Sequence, residues 1–274
     1  MKRVVIALLL SFALVFASVG LVGAVTDGEL DGEGHPMVVL ILMEVGGQPM
    51  YRCSGTLLSP TVVLTAGHCT SNYPDEPYSG IRIFTESDVQ SGIGITNYYP
   101  YGGGKYSVEA VSWAAHPLYE TGPFYLHDVG VIVLKKPGVK LDEYGTLPTV
   151  NQFDSFKNQK GNSVTFTSVG YGLQESFPDP AYWKTHNVKT RYVAHPWLVQ
   201  INGGIVGDYS MLLSNNAYSG GTCFGDSGGA NFLGDSNIVA GITSFGLNGN
   251  CAGTGGVFRT DRQDVLDFVN PYLE

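Results

Sequence analysis

The sequence predicts an all-β protein that ends in one short helix. Three observations carry that reading. Its apolar runs are short, rich in Val, Ile, Phe, Tyr and Thr, and bounded by Gly, Pro and Asn, as strands between tight turns are. No stretch repeats at the helical period until TDRQDVLDFVNPYLE, residues 260–274. Charged residues make up only 14% of the chain, and 37 of its 274 residues are glycine, which suits many turns rather than long solvated helices.

The elements follow in order. Lys2 and Arg3 precede the uncharged run VVIALLLSFALVFASVGLVGAV, the pattern of a secretory signal peptide. Val22 and Ala24 offer a cut between Ala24 and Val25, and Val15 and Ala17 an earlier one. Residues 1–24 are therefore read as the signal peptide; a retained membrane anchor is the alternative, because the run is long enough to span a bilayer. Cutting there takes Lys2 and Arg3 from the 15 basic residues, leaving 13 against 24 acidic ones and a net charge of −11. Phosphate backbones require a basic surface, so nucleic acid is excluded as a partner class.

MVVLILMEV (37–45) and MYRCSGTLLSPTVVLTAGHC (50–69) read as strands, the second broken by a turn at Ser59-Pro60. IRIFT, YSVEAVSWAAH, VGVIVL, SVTFTSVGYG, NIVAGITSFG and GGVFRT continue the pattern. LKKPGVKLDEYGTLPTV (134–150) is the best linker, dividing an earlier unit (25–140) from a later one (141–274). In the terminal segment Thr260 or Asp261 is the expected cap, with Val265, Leu266, Phe268 and Val269 as the apolar side.

Cys53, Cys69, Cys223 and Cys251 make an even count behind a signal peptide, which favours disulfides. Three connectivities are possible; the near-neighbour pairs 53–69 and 223–251 are the expectation. No second local His/Cys pair accompanies His68-Cys69, which argues against zinc.

Candidate chemistry centres on GGTCFGDSGGANF, residues 220–232. A serine hydroxyl is inert at neutral pH without a base beside it. GDSGG satisfies G-x-S-x-G, but that elbow belongs to a fold whose histidine follows the serine. Here His35, His68, His116, His127, His186 and His195 all precede Ser227. His68 is the best base, because it ends a strand-like run and is held between Gly67 and Cys69. A histidine that merely packs is the alternative, and His116 and His127 are rivals in Pro- or aromatic-rich loops. Asp128 leads straight into VGVIVL, where an unpartnered carboxylate would be costly to bury.

Together, SGTLLSPTVVLTAGHC, HPLYETGPFYLHDVGVIVLKKP and CFGDSGG resemble the histidine, aspartate and serine motifs of the chymotrypsin/trypsin-like serine peptidases, in that family's order. The resemblance covers nearly all of the chain after residue 24. It implies two six-stranded antiparallel β-barrels with the active site between them. His68 and Asp128 would come from the first barrel and Ser227 from the second. The amides of Gly225 and Ser227 would form the oxyanion hole. Ser244, Phe245 and Gly246 would pair with the substrate backbone, the Ser244 hydroxyl lying near Asp128. Gly221 would lie at the base of the specificity pocket beside Thr222, with Gly246 and Gly256 in its walls. A neutral base disfavours Lys or Arg and suggests a large apolar residue before the scissile bond. The resemblance implies a secreted monomer acting on protein or peptide substrates, with no cofactor and no resident metal.

The chain departs from the family pattern in places. No Arg- or Lys-terminated propeptide precedes an Ile-Val-Gly-Gly start, so a cut after Ala24 is expected to free Val25 as the amine that pairs with Asp226. Tyr171 replaces the family tryptophan, and a common third disulfide is missing. Asp75, Glu76, Glu86 and Asp88 could hold calcium or form a solvated acidic loop. Activity is expected to fall as His68 protonates, around or below pH ~6.5. The alternatives are a latent homologue that binds without cutting and a cell-surface structural protein.

Overall fold

The computed structural model describes residues 25–71, 77–123, 125–159, 162–176, 187–204 and 207–274. The expected signal segment, Asp75, Glu76 and His186 lie outside them.

Six strands close into a barrel. β1 (Glu29–Leu30) lies elsewhere; the barrel holds β2 (Val38–Val45), β3 (Gln48–Ser59), β4 (Val62–Thr65), β5 (Tyr78–Phe84), β6 (Ser107–Ala115) and β7 (Gly130–Leu134), in the order β2-β3-β4-β7-β6-β5. Closure leaves no edge strand. β2 and β4 read as unbroken apolar runs because they are buried along nearly their whole length. β3 carries Gly55 where β2 and β4 crowd it: a Cβ there would lie 2.7 Å from both Ile41 Cδ1 and Val63 Cγ1.

The second sheet holds β8 (Phe166–Gly170), β9 (Tyr192–Ala194), β10 (Leu198–Ile201), β11 (Ser210–Asn215), β12 (Ala230–Leu233), β13 (Val239–Gly246) and β14 (Gly253–Arg259). Its order is β1-β9-β8-β12-β13-β14-β11-β10, eight strands where six were expected. The sheet curls until Thr165, just before β8, bridges Trp197, just before β10. The six strands β8, β12, β13, β14, β11 and β10 thus form the half-closed wall, and β9 and β1 extend it. β1 joins here, although residue 31 precedes the first barrel, because the Asp31 carboxylate takes a 2.6 Å bond from Arg191 Nε, both side chains being fully buried.

One apolar cluster runs from the barrel into the second sheet through Val169, Phe232, Val239 and Phe258; another, around Phe153, Phe166, Met211 and Val257, fills the second wall. A short helix, α1 (Val89–Gly92), is capped by Asp88. The terminal helix α2 (Gln263–Val269) is too short to persist alone. Burial of Val265, Leu266 and Val269 holds it, each side chain contributing about 1.5–3 kcal/mol. Its cap is Arg262 rather than Thr260 or Asp261. Asp261 is occupied elsewhere: it pairs with the buried Arg259 and accepts the Phe153 N–H. Both expected disulfides, Cys53–Cys69 and Cys223–Cys251, are formed.

Candidate active site

β4 pairs antiparallel with β7, with Thr65 opposite Gly130. Carrying that register two residues on sets Gly67 against Asp128, and the 3-10 turn Gly67–Cys69 then turns His68 toward the carboxylate. Gly67 is tightly hemmed in: a Cβ would lie 3.0 Å from the Tyr119 ring and 3.2 Å from Asp128 Oδ1, so these neighbours would have to shift by a few tenths of an ångström. The Cys53–Cys69 bridge ties the far end of the turn to β3.

Asp128 is buried and fully satisfied. Its Oδ1 accepts the His68 backbone N–H at 2.9 Å, His68 Nδ1 lies 3.0 Å from Oδ2, and Ser244 Oγ donates to Oδ2 at 2.5 Å across from β13. The His68 side chain keeps 28% of its surface exposed. Burial on its own would pull the imidazole down, but the Asp128 charge and hydrogen bond outweigh it, and its pKa rises above 6.5.

Ser227 lies on a loop braced on both sheets, its carbonyl oxygen 3.8 Å from the Sγ of Cys69, the residue after His68. Ser54 N–H of β3 donates to Ser227 O, Gly228 N–H to Thr243 O, and Gly229 N–H to Asp226 O, all at 2.8 Å. Gly225 and Gly228 take positive φ of 98° and 81°, which few other residues tolerate. Phe224 O accepts the Leu173 N–H, so the trans peptide turns the Gly225 N–H the opposite way. Among the described residues no protein acceptor takes the N–H of Gly225 or Ser227. Nor does a hydrogen bond join the His68 and Ser227 side chains; such contacts often tighten only when substrate is bound.

Asp226 points the other way, into the protein. Its carboxyl accepts Gly172 N–H at 2.7 Å and Cys223 N–H at 2.9 Å. Burial outweighs both bonds and pushes its pKa up to about 7. No ion pair to it is formed among the described residues. Val25 is fully buried against Tyr192 and Ala194, and Thr26 O accepts the Gly221 N–H at 3.0 Å.

A cavity of about 370 Å3 opens beside Ser227, lined by Thr222, Phe224, Ser244, Phe245, Gly246 and Leu247 and by the Cys223–Cys251 bridge. Gly221 and Gly256 do not line it. The Asn215 side chain fills the space at Gly221, where a Cβ would lie 2.2 Å from its Cγ, and the Phe245 ring covers Gly256. Sequence reasoning missed Asn215, because nothing local marks a residue in β11 as the neighbour of Gly221.

The two described acids of the expected acidic loop, Glu86 and Asp88, both have protein partners. Glu86 accepts from Thr96 and Asn97, and Asp88 caps α1. His116, His127 and Asp264 bring possible metal ligands within 4.8 Å of one another. The two imidazoles are stacked at 4.9 Å, however, so their in-plane lone pairs do not converge, and His127 pairs with Asp264 at 2.8 Å instead.

A family model described as Trypsin matches residues 29–269. Serine protease 1 of Drosophila melanogaster is 27% identical over 236 residues, covering 84% of this chain and 78% of that protein. Glandular kallikrein of Sus scrofa is 26% identical over 221 residues, covering 80% and 82%. A solved structure described as HL collagenase superposes with a TM-score of 0.66 at 20% identity, over 90% of this chain and 98% of the other, and so shares the fold.

Proposed function

Because this chain belongs to the trypsin family, we propose that it is a secreted serine endopeptidase with Ser227 as nucleophile, His68 as general base and Asp128 as the acid that orients it. The observation that carries this reading is the buried Asp128 carboxylate gripping both the backbone and the ring of His68 beside the cavity lined by Ser227. Asp128 holds the tautomer with the proton on Nδ1, leaving Nε2 free to take the Ser227 proton as Oγ attacks a peptide carbonyl. The same charge stabilises the imidazolium, in keeping with the raised His68 pKa. His68 then gives the proton to the leaving amine, and water releases the acyl group by the reverse steps. The free N–H groups of Gly225 and Ser227 would hold the oxyanion.

The cavity walls of Phe224, Phe245 and Leu247 support a preference for a large apolar residue before the scissile bond. Removal of residues 1–24 would free the Val25 amine. The buried Val25 side chain, the Thr26–Gly221 bridge and the carboxyl of Asp226 without an ion-pair partner among the described residues support its insertion beside Asp226.

The test is intact mass of the secreted protein before and after a fluorophosphonate probe, with Ser227→Ala as control. One adduct absent from the variant supports the assignment, and the unlabelled mass fixes the N-terminus. A folded protein that starts at Val25 and takes no adduct overturns it and favours a homologue that binds without cutting.

A further inference from the structure

Phe224 separates two cavities. One is the apolar cavity beside Ser227; the other, about 320 Å3, shares only Phe224 with it and is lined by Arg52, Tyr99, Leu173, Asn187, Lys189 and Gly225. Two cations thus meet in one groove of a chain whose net charge is −9. The Arg52 guanidinium lies against Gly225, where a Cβ would stand 3.0 Å from Nη2. Arg52 also bonds the Tyr99 phenol, and Lys189 Nζ stands 5.9 Å from the centre of the same ring while donating to Asn187 O at 3.0 Å. Among the described residues no carboxylate forms an ion pair with either, although the buried Asp226 lies near enough for its charge to act on Arg52. Burial, and then the charge of Arg52, hold the Lys189 pKa below its usual value, and burial does the same to Arg52. An anion placed between them would relieve both.

The groove lies where the departing half of a substrate would run. The acyl half occupies the apolar cavity. His68, which protonates the leaving amine, is tied through the Cys53–Cys69 bridge to the residue next to Arg52. Arg52 already lies against Gly225, two residues before Ser227, and an extended chain advances about 3.3 Å per residue, so the cations are within reach of residues close beyond the scissile bond.

We propose that this groove binds a carboxylate on the leaving-group side of the substrate, carried by an Asp or Glu side chain or by a chain terminus within two residues of the scissile bond. The proposal rests on the serine-peptidase reading. The experiment forms the acyl-enzyme from an apolar p-nitrophenyl ester and lets amines compete with water for it. The acceptor nitrogen attacks the acyl carbon and gives its proton to His68; the ester bond to Ser227 Oγ breaks, and Oγ takes that proton. Gly-Asp amide is compared with Gly-Asn amide, and Gly-Gly with its amide.

The carboxylate member of at least one pair is expected to capture the acyl group about ten-fold better, the worth of one charge-assisted hydrogen bond. That ratio should shrink in 0.5 M salt and drop toward one in Arg52→Gln and, separately, in Lys189→Gln. Ratios near one for both pairs in the unaltered enzyme, or a ratio that both variants retain, overturn the groove assignment while leaving the catalytic reading intact. Absence of a p-nitrophenol burst overturns the catalytic reading and the groove assignment with it.

Discussion

Replacing Asp226 by Asn in a chain with one residue left before Val25 should reverse its sign with pH. Where no ammonium stands beside it, the carboxyl is wholly buried and its pKa stands near 7 instead of 3.8. A rise of that size corresponds to about 4 kcal/mol. The folded state therefore keeps a proton that the unfolded state releases. The contribution to stability is complete below pH 3.8 and is lost as pH climbs through 7, about 3 kcal/mol of it between pH 5 and 8. Asn cannot ionise, but it offers one carbonyl where the carboxyl accepts from both Gly172 and Cys223, so one buried N–H is left unpaired at a cost of about 1–3 kcal/mol at every pH. Urea unfolding of both chains at pH 5 and pH 8 should find the Asn variant gaining about 3 kcal/mol on its parent between the two and the more stable of the pair at pH 8. In a chain that begins at Val25 the new ammonium should abolish that swing. A difference that stays constant from pH 5 to 8 in the extended chain would refute the argument from burial.

Three further outcomes are expected. Ser244→Ala removes a buried donor to the Asp128 carboxylate and should lower kcat/KM about ten-fold, with near-unchanged folding by circular dichroism. The acid limb of the kcat/KM profile should fall above the ordinary histidine value of ~6.5, because the raised His68 pKa keeps the base protonated to higher pH; Asp128→Asn should cost on the order of ten-thousand-fold in kcat. Arg191→Ala leaves His35 as the remaining partner of the buried Asp31 carboxylate and should destabilise by about 3 kcal/mol in urea unfolding, the low end for a broken buried pair.

Most of the longer strands were legible because apolar and β-branched residues recur in them between turn signals. β2, β4 and β7 needed nothing beyond their own residues to be recognised. β9, β10 and β12 were not, being three or four residues long and too short to establish a period, and the six-residue β11 was missed as well, its SMLLSN offering polar residues at both ends of a short apolar run. The helix was legible from its apolar side but not from its cap, because Asp261 has a stronger claim in its ion pair with Arg259.

The sequence by itself determined the all-β class with its terminal helix and marked the segments that carry His68, Asp128 and Ser227, while the structure chose among the three cysteine pairings. Each of these is written in adjacent residues, where spacing, turn chemistry and motif act locally. Only the tertiary structure decided that β1 crosses to the second sheet on Asp31 and Arg191, and that Asn215 fills the space at Gly221. It also set Arg52 against Gly225 and left Asp226 dry enough to hold a proton near pH 7. These depend on which distant side chains meet and how far water is excluded between them, and both are set by packing across the two sheets rather than by neighbours along the chain.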